Sequence, residues 1–120
     1  MKLIFDSGSD WLSVEGTQCE SCKGTKYDES SSAFFQWMTT LTADRRYGTY
    51  MHLQGKTVSD DVCLLAGSVC VSPFSFFYVT DQYGLPSEVV DGILGLTQAG
   101  VPDATLQPEN DFPTGISFMG

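Results

Sequence analysis

An aspartate flanked by small residues follows the first apolar segment of the chain, in the string Leu3-Ile4-Phe5-Asp6-Ser7-Gly8-Ser9. Gly8 has no side chain, so backbone amide groups can approach the Asp6 carboxylate, and the Ser9 hydroxyl can donate to the same carboxylate. A carboxylate held in a fixed orientation can activate a water molecule. Taken alone, however, an Asp-Ser-Gly triplet is more typical of a turn than of a catalytic group.

The four cysteines form two close pairs in the sequence, Cys19 with Cys22 and Cys63 with Cys70. An even count at short spacing is compatible with two local disulfides and an oxidising compartment. The alternatives are a redox pair or a zinc site, but zinc needs four ligands and only one Cys-x-x-Cys spacing is present. We therefore expect structural disulfides, of which Cys63 to Cys70 would brace a hairpin, and we expect neither a metal nor a cofactor.

The composition limits the classes of partner. The chain has 120 residues, which fits one domain, and its 15 acidic against 6 basic residues give a formal charge of −9. Because the basic residues form no patch, nucleic acid and anionic membranes are not expected partners. The apolar runs are too short for a transmembrane helix.

Short apolar runs alternate with clusters of Gly, Asp and Ser, a pattern that predicts strands. No window of a dozen residues carries a helical apolar stripe, so the expected class is all-β with short helices at most. Turns or breaks are expected at Gly16, 28–32, Gly55, 67–68 and 84–86, and an irregular tail over 97–120, which contains three prolines. The predicted strands are Leu3 to Phe5, Phe34 to Met38, Val62 to Leu65, Phe74 to Val79 and Val89 to Leu96.

The segment Ile4 to Ser9 resembles the first active-site loop of the pepsin-like aspartic proteases, in which Asp-Thr-Gly-Ser is usual and Asp-Ser-Gly is a variant. The resemblance continues through the Cys19 to Cys22 loop, through Tyr27 to Ser32, and through Tyr47-Gly48-Thr49, which is similar to the start of the family's flap. The most specific match is Val90 to Leu96, similar to the Asp-Gly-Ile-Leu-Gly-Leu element that threads beneath the catalytic loop. Together these matches cover about residues 3 to 96.

The resemblance implies a fold and a set of functional residues. The fold would be one lobe of the pepsin-like acid protease fold, a psi-loop β-barrel, with residues 1–120 as a single N-terminal lobe. Asp6 would be catalytic, with Ser7, Gly8 and Ser9 supporting it. An extended peptide or protein substrate would contact Ile4, Tyr47, Gly48, Thr49, Val90 and Ile93.

The chain departs from the family pattern at two positions. Ser13 stands where tryptophan is common, and Tyr50 stands in the flap where glycine is usual. The flap assignment of Tyr47 therefore depends more on order along the chain than on local identity.

Only one half of the catalytic pair is visible in this sequence. In the resembled family two aspartates from two lobes share a water molecule, but here Asp91 is followed directly by Gly92 and Pro113 precedes Thr114-Gly115. We expect an endopeptidase lobe that lacks its first strand and its C-terminal lobe, is inactive alone, and comes from a secreted or vacuolar or lysosomal enzyme. The alternatives are a non-catalytic peptide-binding module and a single-lobe protease that dimerises with itself.

Overall fold

A computed structural model of the chain describes residues 1–9, 11–39, 42–47, 50–64 and 67–96. The elements are β1 (Leu3–Asp6), β2 (Leu12–Glu15), a 3-10 turn (Glu29–Ser31), β3 (Gln36–Trp37), β4 (Ala43–Tyr47), β5 (Met51–Leu64), β6 (Val69–Tyr83) and β7 (Gly92–Gly95). Within the described residues one mixed sheet has the strand order β1-β7-β2-β6-β5-β3, with β4 added beside β5. The all-β prediction is confirmed, while the predicted irregular tail at 97–120 lies outside the described residues.

Strand β7 lies between β1 and β2, parallel to the first and antiparallel to the second. The segment that joins β1 to β2 must therefore pass across the end of β7, which is the psi arrangement. Two backbone hydrogen bonds hold this crossing, from Leu96 N to the Asp6 carbonyl (2.9 Å) and from Gly95 N to the Trp11 carbonyl (2.7 Å). The crossing places the end of β1 beside the end of β7, with Asp6 opposite Gly95.

Both faces of the sheet are packed, and the alternation of side chains along β6 shows how. Phe77 and Val79 belong to one buried cluster, whereas Phe76 and Tyr78 belong to a second. Successive side chains of a strand point to opposite faces, so this apolar run fills two cores at once. The first cluster also contains Trp11 and Ile93 and therefore lies on the side of the sheet that carries the candidate site.

Several strand boundaries differ from the sequence-based prediction. The longest strands, β5 and β6, extend well beyond the predicted Val62 to Leu65 and Phe74 to Val79, while β3 and β7 are shorter than predicted. Strands β2 and β4 were not predicted. All four residues of β2 are buried although two are polar, and β4 has three consecutive charged residues, so neither has the apolar pattern of a strand.

The predicted break at Gly55 is wrong, because this glycine lies inside β5. The pairing of β5 with β6 shifts register between Gln54 and Gly55. A Cβ atom at Gly55 would lie 2.1 Å from the Tyr78 carbonyl oxygen. Here glycine permits a close approach of two backbones at a bulge rather than a turn.

Both cysteine pairs are disulfide-bonded. Cys63 and Cys70 face each other across the β5 and β6 hairpin, and Cys19 bonds to Cys22 in the loop after β2. In the described part of the chain, no helix is long and apolar enough to span a membrane.

Candidate active site

Asp6 ends strand β1 and is partly exposed at the start of the loop that crosses β7. The Gly8 amide donates to Asp6 Oδ1 at 2.9 Å, which is the approach predicted from the missing side chain. This bond orients the carboxyl group and leaves Oδ2 available for another partner. A Cβ atom on Gly8 would lie 3.3 Å from the same Oδ1, so the loop closes tightly over the carboxylate.

The two serines of the loop differ in their surroundings. Ser7 is exposed, whereas the Ser9 side chain is buried and its Oγ has no hydrogen-bond partner among the described residues. The predicted donation from Ser9 to Asp6 is therefore not made in this structure, where the Gly8 amide is the donor to Oδ1. A buried hydroxyl without a partner costs about 1–3 kcal/mol.

Four of the six predicted substrate-binding residues come together in space. Ile93 is buried in the cluster that also contains Trp11, and Ile4, Tyr47 and Val90 are partly buried against that cluster. Ile4 and Ile93 are also direct neighbours in the pairing of β1 with β7. The remaining two residues, Gly48 and Thr49, lie outside the described residues.

Gly92 determines how closely β7 can fit between its neighbours. A Cβ atom at this position would lie 2.0 Å from the Ser13 carbonyl oxygen and 3.0 Å from Val14 Cα. Both contacts are with backbone atoms, which cannot move aside as a flexible side chain could. The glycine is therefore required for the crossing that presents Asp6.

Tyr47 is the last residue of β4, and its hydroxyl group contacts two polar side chains, Ser13 and Arg45. The phenol oxygen lies 3.2 Å from Ser13 Oγ and accepts a hydrogen bond from Arg45 Nε at 2.9 Å. Burial raises the pKa of the Tyr47 phenol, the nearby Asp6 carboxylate raises this pKa further, and Arg45 and Ser13 oppose the rise. The phenol thus remains neutral.

Sequence reasoning missed the two residues that bind the Tyr47 hydroxyl. For Arg45 the sequence offers one indication, the two-residue period of a strand. It places Arg45 and Tyr47 on one face of β4, and Asp44 and Arg46 on the other. That signal required β4 to be recognised as a strand. For Ser13, the only sequence indication is its occupation of a position where tryptophan is common in the resembled family.

A buried acidic group supports β7 from the side away from Asp6. Asp91 accepts hydrogen bonds from the Lys2 amide at Oδ2 and from the Thr25 amide at Oδ1, both at 2.7 Å. Its neighbour Glu15 is fully buried and accepts from Ser87 Oγ and from the Gly24 amide. These bonds tie the start of β1, the end of β2 and the start of β7 together.

We expect the free energy of unfolding to fall as the pH rises above the ordinary Glu pKa of 4.5. Burial raises the pKa of Glu15 and the Asp91 charge adds to this rise, against opposing hydrogen bonds from Ser87 and Gly24 and the charge of Lys26. Glu15 therefore keeps its proton to a higher pH in the folded state than in the unfolded state. Its contribution to the free energy of unfolding is fully present below pH 4.5 and is lost as the pH rises through the folded-state pKa.

Urea unfolding at a series of pH values between about 4 and 7 measures this effect. Glu15→Gln mimics the protonated acid and should flatten the decline, while the exposed Glu20→Gln should leave it unchanged. A decline of equal slope in the wild type and in Glu15→Gln would show that another group causes it.

The comparisons with known proteins agree with this geometry. A family model described as eukaryotic aspartyl protease matches residues 1–111 of the chain. The chain therefore belongs to the eukaryotic aspartyl protease family. No curated protein matches it significantly. Among the described residues, no group of three or more His, Cys, Asp or Glu side chains could hold a metal ion.

Proposed function

We propose that this chain contributes one half of the active site of an aspartic endopeptidase, with Asp6 as one of two carboxylates that activate a water molecule. The observation that carries the proposal is the oriented Asp6 carboxylate at the end of β1, in a strand pairing that also places Ile4 beside the buried Ile93. Family membership supports proteolysis in general.

The chemistry requires a second carboxyl group. One carboxylate takes a proton from water as the water oxygen attacks the peptide carbonyl carbon, and a protonated carboxyl group gives its proton to the carbonyl oxygen. The resulting diol collapses when the C–N bond breaks and the amine leaves with a proton. Aspartic proteases are the standard example of two carboxyl groups that share one proton because both cannot ionise at close range.

The 120-residue sequence contains one Asp-Ser-Gly and no Asp-Thr-Gly. We infer that the second carboxylate faces Asp6 from another lobe with its own Asp-Thr-Gly or Asp-Ser-Gly loop. In this arrangement the Gly8 amide holds Oδ1 of Asp6 and Oδ2 contacts the water. Without the second carboxyl group the proton-sharing pair is absent, and the chain alone does no chemistry.

The residues around Asp6 would bind an extended peptide. Ile4, Val90 and Ile93 would form an apolar pocket beside the cleaved bond, favouring apolar side chains there. Tyr47 would cover the substrate, and the backbone of Gly48 and Thr49 would pair with it as a strand does. The two disulfides favour an oxidising compartment, so we propose a secreted or a vacuolar or lysosomal enzyme.

Two measurements on the purified 120-residue chain test the half-site: peptide cleavage between about pH 3 and 7, and the oligomeric state by sedimentation at the same pH values. The expected result is no cleavage at any pH. Cleavage by a sedimenting dimer would replace the half-site with a self-paired enzyme. An inert monomer would instead indicate a binding module if the wild type and Asp6→Asn bound peptides equally well. Asp6 would then have no catalytic role.

A further inference from the structure

We propose that Arg45 is a positioning residue that holds Tyr47 and the loop after Asp6 in one fixed arrangement. Its effect on catalysis rests on the proposed protease function, whereas its effect on Tyr47 does not. The proposal concerns a side chain on β4 that contacts two aromatic residues belonging to different elements of the site.

Arg45 is a charged residue in a core position. The residue is only 3% exposed, and on the adjacent strand β5 it pairs with Leu53, which is completely buried. Placing a guanidinium group in such a position is costly unless its charge and its donors find good partners. The contacts of Arg45 therefore indicate what the buried charge organises.

The first contact is with an aromatic ring of the active-site loop. The guanidinium carbon lies 4.6 Å from the centre of the Trp11 ring and 5.3 Å from the centre of the Tyr47 ring. A cation over an aromatic face is attracted to it, and the attraction is stronger when the pair is shielded from water. Trp11 follows the Asp6 loop, and its carbonyl oxygen accepts a hydrogen bond from the Gly95 amide. The contact of Arg45 with the Trp11 ring therefore holds the segment between β1 and β2 at the end that is farther from Asp6.

The second contact is a hydrogen bond that directs the Tyr47 hydroxyl. A guanidinium group can only donate, so the Tyr47 oxygen accepts from Arg45 Nε and its own proton is available for Ser13 Oγ. The two bonds form a chain from β4 through Tyr47 to β2. Because the Tyr47 hydroxyl is bonded on both sides, it cannot move away from its position without breaking one of these bonds.

Arg45 thus connects three elements of the site, namely β4, the loop that ends at Trp11, and β2. An aliphatic side chain would fill the space, but it would make neither the cation contact with the Trp11 ring nor the hydrogen bond to the Tyr47 hydroxyl. A lysine would keep the charge, yet it lacks both the Nε donor and the flat group that stacks on Trp11. Arg45→Met and Arg45→Lys therefore separate the loss of charge from the loss of geometry.

The test uses the 120-residue chain with carbon-13 in its tyrosine rings. The Tyr47 ring signals are assigned by their absence in Tyr47→Phe and compared among wild type, Arg45→Met, Arg45→Lys and Arg46→Met. Arg46 is the matched control because it is the next residue on β4 and is exposed. Dispersion of the backbone amide signals shows whether each variant remains folded.

We expect a single ordered set of Tyr47 signals in the wild type and in Arg46→Met, and displaced or broadened signals in Arg45→Met. Arg45→Lys should give an intermediate displacement. If Arg45→Met does not fold, Arg45→Lys decides the question in the same spectrum. Tyr47 signals identical to the wild type in the folded Arg45 variants would overturn the proposal.

A second readout concerns catalysis, using the chain joined to a second lobe that carries its own Asp-Thr-Gly. Arg45→Met should lower kcat/KM about tenfold, the loss expected from a misplaced substrate-covering group, while Arg46→Met should not. A wild-type joined protein without cleavage would count against the proposed protease function, with the Tyr47 spectra still deciding the role of Arg45. Cleavage by Arg45→Met equal to the wild type would overturn the catalytic part of the inference.

Discussion

Replacing Gly92 with alanine is expected to destabilise the fold of the 120-residue chain strongly. The new Cβ atom would lie 2.0 Å from the Ser13 carbonyl oxygen, far inside van der Waals contact. Strand β7 is bonded on both sides, to β1 and to β2, so it cannot move away from Ser13 without breaking one of these pairings. Overpacking in a core costs about 1–3 kcal/mol even where neighbours can adjust, and here the neighbour is backbone.

Urea unfolding followed by circular dichroism measures the effect, and we expect a loss of about 3 kcal/mol or more, a large part of the stability of a small domain. Gly8→Ala is the matched control. Among the described residues its Cβ atom would meet only the Asp6 side chain, at 3.3 Å, so the fold should be retained. A Gly92→Ala chain with the wild-type urea midpoint would show that β7 does not fit between β1 and β2 as described.

Replacing Asp6 with asparagine is expected to lower kcat/KM of the joined two-lobe protein by about 10²- to 10⁴-fold, the range of a lost general base. Asparagine has the same shape, and its carbonyl oxygen can still accept the Gly8 amide, so the loop should keep its structure. It cannot, however, take a proton from water. The loss should therefore appear mainly in kcat, with substrate binding little changed.

Asp28→Asn is the control for the Asp6 substitution. Asp28 is exposed and caps the 3-10 turn by accepting from the Ser30 amide, a role that asparagine fills equally well. Its kcat/KM should equal that of the wild type. An Asp6→Asn protein that retains more than about a tenth of the wild-type activity would contradict a catalytic Asp6.

The residues near Asp6 show what the sequence could predict. The Asp-Ser-Gly loop taken alone is typical of a turn, and the more specific Asp91 to Leu96 element later in the chain made it recognisable. In the structure Ile4, Tyr47 and Val90 pack against the buried cluster that contains Ile93. Glycine was misleading at Gly55, where a close backbone approach has the same sequence signal as a turn.

The buried polar residues of the sheet could not be predicted in the same way. Ser13, Glu15 and Arg45 are polar by type and buried by position, and local sequence patterns assign such residues to the surface. Their burial depends on partners far along the chain, such as Ser87 for Glu15 and Tyr47 for Ser13. Only the three-dimensional pairing of strands reveals these contacts.

The most direct test of the half-site is the rate of peptide cleavage at acidic pH by three proteins: the 120-residue chain, a second lobe with its own Asp-Thr-Gly, and the two joined in one chain. We expect cleavage by the joined protein alone, because only there do two carboxyl groups face each other across one water molecule. Cleavage by the monomeric 120-residue chain, at a rate comparable to that of the joined protein, would contradict it.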